Sequence, residues 1–316
     1  MITSISKHVA LGLTASALVI TACSKPAEDT IPAAPDAAIQ TVITEFAQGN
    51  GGILWEAMPA SYQTDVTTLV KLAGTKVDAE VYDKSFATIG RLAEVVDQQQ
   101  AFILNTSFLK GRSAEEMAEL EAALPSVVGV INTLTQSELA SSTGLLNFDG
   151  QAFFDTTVSK LAGYVEELGV LAGEEYVLSD YVNSVVSVVD ADDLQATLLM
   201  TVPGEEPVEQ TFTKVEERWV PADMASDWAS SVAEATAELE ATSPEDIAAQ
   251  KPQIMGVLAM MDGVLTQIAA AETQEQFDQS LQGAMMPLMG LMMMGQGMGA
   301  PAAPMPAAPS STPSVK

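Results

Sequence analysis

The chain carries one histidine and one cysteine in 316 residues, His8 and Cys23. After Cys23 there is no imidazole and no thiol. That stretch therefore cannot build a Ser-His-Asp or Cys-His catalytic set, use a histidine base, or hold haem through histidine. The usual zinc sites and an intrachain disulfide are excluded as well. An enzyme made from the remainder would rely on carboxylates, Lys, Tyr, Ser or a bound cofactor. No Gly-rich phosphate loop, dinucleotide fingerprint or EF-hand loop is present, so no cofactor is expected. Cations are scarce too: 13 Lys and Arg face 42 Asp and Glu, a formal charge of −29. Such a surface repels nucleic acid and anionic headgroups, and nucleic acid is not an expected partner. It suits a saline habitat or basic partners. Aromatic residues make up only 5% of the chain. Together with abundant alanine, this favours a helical fold over a sandwich or an aromatic-lined sugar groove.

What is present begins at the N-terminus. Lys7 and His8 precede an apolar stretch from Val9 to Ile20, too short to remain as a membrane span. It ends in Ile20-Thr21-Ala22-Cys23 and reads as a secretory signal. The segment resembles the lipobox signal of bacterial lipoproteins. The resemblance implies cleavage before Cys23, diacylglycerol on its sulfur and acylation of the new amine. Several acyl chains on one residue make a stable anchor. Ser24, where an aspartate favours inner-membrane retention in that family, implies the outer membrane of a Gram-negative cell, facing the periplasm. Loss of residues 1–22 leaves 12 basic and 42 acidic side chains, a formal charge of −30. Residues 23–35 are rich in Pro, Ala and charge and read as a tether, spanning roughly 35–40 Å at about 3.1 Å per residue.

Residues 36–283 read as one mainly helical α+β domain. Asp36 is expected to cap a first helix through Ile39, Val42, Ile43 and Phe46. A short helix with Leu54, Trp55 and Met58 follows. The next runs from about Tyr62 and is expected to stop at Gly74. Asp78 caps a long helix whose Val81, Tyr82, Phe86, Ile89, Leu92 and Val96 are expected to face inward. Ser113 and Glu116 have capping-box spacing, and their helix is expected to break at Pro125. Ala152 to Leu171 is a further amphipathic helix. About residues 181–220 the period drops to two, which predicts a small antiparallel meander of three or four strands between two helical sets. After it come a stripe through Met224, Trp228, Val232, Ala235 and Leu239, a helix opened by Ser243-Pro244-Glu245, and an apolar run Ile254 to Ala270 that is expected to be buried. Thr273 and Gln276 form a second capping-box pair.

Residues 284–316 carry no charge except Lys316 and are rich in methionine, then in Pro and Ala. Thioether sulfur selects Cu(I), so Met289, Met292, Met293 and Met294 are candidate ligands. The alternative is an apolar helix that packs on the domain, a membrane or a partner. Tyr176, Asp180 and Tyr181, with Asp190, Asp192 and Asp193, could be a carboxylate site or simply solvated turns. Trp55, Trp219 and Trp228 read as core.

Phe46-Ala47-Gln48-Gly49-Asn50 and Leu54-Trp55-Glu56-Ala57-Met58-Pro59 resemble the opening helices of NTF2-like domains. Phe212 to Val220 resembles their closing strands. The family often forms a cone-shaped pocket under a curved sheet. These stretches cover less than a tenth of the chain, and the long helical stretch between them departs from the family pattern. No pocket residue carries over, and ordinary helices with a hairpin are the alternative. The expectation is a non-enzymatic, membrane-anchored lipoprotein that binds an envelope protein or a small ligand. A Cu(I)-binding protein is the second reading, and an enzyme using carboxylates or a cofactor the third.

Overall fold

The computed structural model describes residues 30–173 and 177–295, except the side chains of Asp246 and residues 285–295. The order is a short helical pair, a helical set, a four-stranded antiparallel sheet, and three further helices. The fold is α+β and mainly helical, as the periodicities predict.

The sheet consists of β1 (Val185–Ala191), β2 (Gln195–Thr201), β3 (Val208–Val215) and β4 (Arg218–Pro221), in sequential order. The meander thus begins at Val185, because Tyr181 belongs to the 3-10 turn Leu178–Asn183 that leads into it. β3 and β4 are joined by Glu216-Glu217, both left-handed (φ 47° and 65°), the twist that a two-residue hairpin needs. One sheet face carries Val186, Ala196, Leu198, Phe212 and Trp219, all buried. The opposite face is rich in hydroxyls, with Thr197 bonded across the strands to Thr211.

Against the apolar face lie α1 (Pro35–Ala47) and α2 (Gly52–Glu56). Pro35 takes the first helical position of α1 and Ala34 is its N-cap, so Asp36 sits inside the first turn and is not the cap. The packed core also reaches back to Ile31, 5% exposed, inside the segment read as tether. The link between α1 and α2 turns at Gly49 (φ 89°).

The helical set contains α3 (Ala60–Lys76), α4 (Ala79–Gln98), α5 (Gln100–Leu104) and α6 (Ala114–Thr135). It continues through α7 (Ser142–Leu146) and α8 (Gly150–Phe153). The π-helical turn Phe154–Val158 joins α8 to α9 (Ser159–Ala172). Asp78 caps α4, accepting the Val81 N–H at 3.1 Å. Ile89 and Leu92 are about two-fifths exposed, so the inward stripe of α4 is narrower than its periodicity suggests. Ser113 and Glu116 form both bonds of the capping box.

Two expected breaks do not occur. Gly74 lies within α3, where a Cβ would come within 2.9 Å of the Leu145 side chain; the glycine serves close packing on α7, not termination. Pro125 lies within α6, which stays one helix because both sides of the proline are packed: Leu124, Ser126 and Val128 are buried between α4 and α9. Proline removes one helix bond, and flanking tertiary packing offsets that loss. By length and composition α6 would suffice to cross a membrane.

After the sheet come α10 (Ala222–Ala241), α11 (Pro244–Ala269) and α12 (Gln274–Gly295). α10 lies on α3 with Trp228, Val232, Ala235 and Leu239 turned partly inward, whereas Met224 is exposed. α11 is not buried all round. Leu258, Leu265 and Ile268 face α4 and α12, while Gly256, Ala259, Met260 and Gly263 are exposed. The charged groups hold it in register: Lys251 bonds Asp78 and Glu80, and Asp262 receives both Lys84 and Arg91. Leu265 and Ile268 form a second core with Val95, Ala271 and Phe277. Gln276 donates its N–H to Thr273 Oγ1 at 3.3 Å, but its side chain caps the Glu272 N–H, one residue earlier than a capping box requires.

Candidate functional site

Between the sheet and the α1–α2 pair lies a cleft of about 360 Å³. Its walls follow helical periodicity: Ile39, Val42 and Ile43 from α1, then Leu54 from α2 with Ala57 and Met58 just past its end, each set at i, i+3, i+4. Phe212, Trp219 and Val220 supply the strand side. Phe154, from the π-helical turn, and Tyr62, from α3, complete it, with Pro221 and Met224. No charged side chain is among these residues.

Two devices keep the cleft apolar. The Trp219 indole N–H donates to the Ala33 carbonyl at 3.0 Å, so the only polar group of the ring is already satisfied. Trp228 stacks on Tyr62 at 3.9 Å between ring centroids, 7° from parallel, and donates its own N–H to Asp65. That stack fixes the Tyr62 ring. Burial pushes the Tyr62 phenol above its ordinary pKa, and the charges of Asp65 and Glu216 push in the same direction. The phenol is therefore protonated at neutral pH, and Tyr62 is the one hydroxyl-bearing residue in this lining. Lys214 pairs directly with Trp219 across β3 and β4, its ammonium 6.0 Å from the ring centroid.

The π-helical turn is held from the α1–α2 link. The Gly51 N–H donates to Ser159 Oγ at 2.7 Å, and that hydroxyl donates to the Phe154 carbonyl at 3.3 Å. A Cβ on Gly51 would lie 2.6 Å from the Ser159 backbone nitrogen. The position and direction of Phe154 thus depend on a glycine more than 100 residues earlier in the chain.

Cys23 lies outside the described residues, as does Tyr176. Met289, Met292, Met293 and Met294 fall within α12, and their side chains lie outside the description. Asp192 accepts the Leu194 and Gln195 N–H groups at 2.7 and 2.8 Å, bonds that lower its pKa and cap the β1–β2 turn. Asp180 similarly accepts the Val177 N–H. These acids serve local turns. Among the described residues no group of three or more His, Cys, Asp or Glu is placed to hold a metal. Trp55 and Trp219 are core residues, and Trp219 also lines the cleft.

Helical periodicity places Ile39, Val42, Ile43 and Tyr62 on apolar helix faces without assigning them to a site. Leu54, Ala57, Met58, Phe212, Trp219 and Val220 also line the cleft, and no motif in the sequence assigns them to it. No protein-family model matches the chain, and no curated protein or solved structure matches it.

Proposed function

We propose that this protein is a lipid-anchored binding protein that holds an apolar small molecule, an acyl chain or a hydrocarbon of similar size, between its sheet and its first two helices. The observation that carries this reading is the cleft: about 360 Å³, no charged lining residue, and a tryptophan whose polar group is already bonded. Pockets for small ligands fall in this size range and combine apolar walls with few polar groups. Here the polar group is the protonated Tyr62 hydroxyl, a donor for one acceptor on the ligand. In the same proposal Cys23 carries the acyl anchor, and the domain faces the periplasm from the outer membrane. Binding without chemistry fits the residues available, because the cleft offers neither a base nor a nucleophile activated by one. Displacement of N-phenyl-1-naphthylamine from the full chain by saturated fatty acids tests the reading.

A further inference from the structure

The π-helical turn separates two cavities of opposite character. Phe154 faces the apolar cleft, whereas Thr157 lines a second cavity of about 390 Å³. Around it stand Asn132 and Gln136 from the end of α6, Glu138 from the following turn, and Lys160 and Tyr164 from α9. We propose that this second cavity binds a small zwitterion of amino-acid type, with its carboxylate at Lys160 and its ammonium at Glu138.

The first support is unspent hydrogen-bonding capacity. Neighbouring hydroxyls bond backbone carbonyls: Thr135 to Ile131, Ser137 to Leu134, and Thr156 to Ala152. The side chains of Asn132, Gln136, Thr157, Lys160 and Tyr164 make no such bond among the described residues. Thr157 is only 4% exposed, yet the one fully buried side-chain polar atom without a partner among the described residues is Ser184 Oγ, so the Thr157 hydroxyl keeps access to the cavity it lines. A ligand that replaces the water met there can bond that hydroxyl directly.

The second support is charge. Acids outnumber bases about threefold in the chain; among the described residues Lys84, Arg112, Lys214 and Lys251 have ion-pair partners, while Lys71, Lys76, Lys110 and Lys160 have none. Lys160 and Glu138 line the same cavity yet pair neither with each other nor with another described residue. A simple anion there would meet Glu138, and a simple cation would meet Lys160. A neutral polyol would leave both charges unmatched. A molecule with one charge of each sign satisfies both, and the amides and hydroxyls between them suit its polar body. The wall itself is a π-helical turn, an irregularity found often at functional sites.

Isothermal titration of the full chain with individual L-amino acids tests the proposal, with their N-acetyl derivatives and glucose as comparators. Saturable binding of at least one amino acid is expected, lost on N-acetylation. Lys160→Gln and Glu138→Gln should each weaken it about tenfold or more, as expected for a charge-assisted bond. Thr157→Val, similar in shape, should weaken it while circular dichroism stays unchanged. Absence of binding by every amino acid would overturn the proposal. So would an affinity indifferent to Lys160→Gln and Glu138→Gln, or binding of glucose in place of amino acids.

Discussion

Gln40 pairs with Val186 as a neighbouring strand would. Its side-chain oxygen accepts the Val186 N–H at 2.9 Å, and its side-chain nitrogen donates to the Ser184 carbonyl at 3.0 Å. β1 is the edge of the sheet, and exposed edge backbone is a template for unwanted pairing. One amide from α1 closes the start of that edge and anchors the helix over the cleft. Gln40→Leu, which keeps the bulk and removes both bonds, should cost about 1–3 kcal/mol in urea unfolding. Gln40→Glu retains the acceptor for Val186 and should cost less than Gln40→Leu.

Gly51 tests the link between α1–α2 and the π-helical turn. Gly51→Ala sets a methyl against the Ser159 backbone, which has no flexible end to move aside. Overpacking of this kind costs about 1–3 kcal/mol. Gly49→Ala, in open space, has only its left-handed φ to oppose it and should cost about 1–2 kcal/mol. Only Gly51→Ala should disturb the environment of Phe154, read by the NMR shifts of its ring.

The pairing of α4 with α11 should show itself in acid. The Val81 N–H and then Lys251 hold the Asp78 carboxyl below its ordinary pKa. A depressed folded pKa contributes stability above the unfolded value, about 3.9 for aspartate, and loses it as pH falls through the lower folded value. Lys251 is raised by Glu80 and Asp78, so its contribution holds below the ordinary lysine value and fades as pH climbs through the folded value. Asp78→Asn keeps a capping oxygen and loses the charge, while Asp78→Ala loses both. Thermal midpoints at neutral pH should fall in the order wild type, Asn, Ala. The Asn variant should also show a shallower loss of stability below pH 4 than wild type.

The anchor assigned to Cys23 predicts incorporation of labelled palmitate into the expressed chain and its recovery with outer-membrane fractions. Cys23→Ser should abolish both. Incorporation that survives in the serine variant would remove Cys23 as the acylated residue.

Features written in short-range chemistry were legible in the sequence. The capping box of Ser113 with Glu116 and the cap at Asp78 each need only three residues of spacing, and both form. The alternation from Gln195 to Val215 marks two strands and the turn between them. Failures came where tertiary packing overrides a local signal. Gly74 and Pro125 are both helix breakers by propensity, yet each lies in a helix held from outside by Leu145 or by α4 and α9. Ile31 carries no periodicity at all and becomes core only because the sheet provides a surface for it. The cleft was the least legible feature. Its walls come from residues 39–62, 154 and 212–224, and no local pattern records that these segments meet. The π-helical turn also left no sequence mark, and the Gly51 N–H that bonds beside it comes from a distant part of the chain.

The most direct test of an apolar ligand in the cleft is a chain-length series of saturated fatty acids, titrated against the wild type and Ala57→Phe. Ala57 lines the cleft and is small, so phenylalanine there takes up ligand space. Each buried methylene contributes about 0.8 kcal/mol, so wild-type affinity should rise roughly fourfold per methylene until the cleft is full, then level off. Ala57→Phe should level off at a shorter chain. Affinity that does not depend on chain length, or an identical plateau in a folded Ala57→Phe, would contradict the assignment of the cleft.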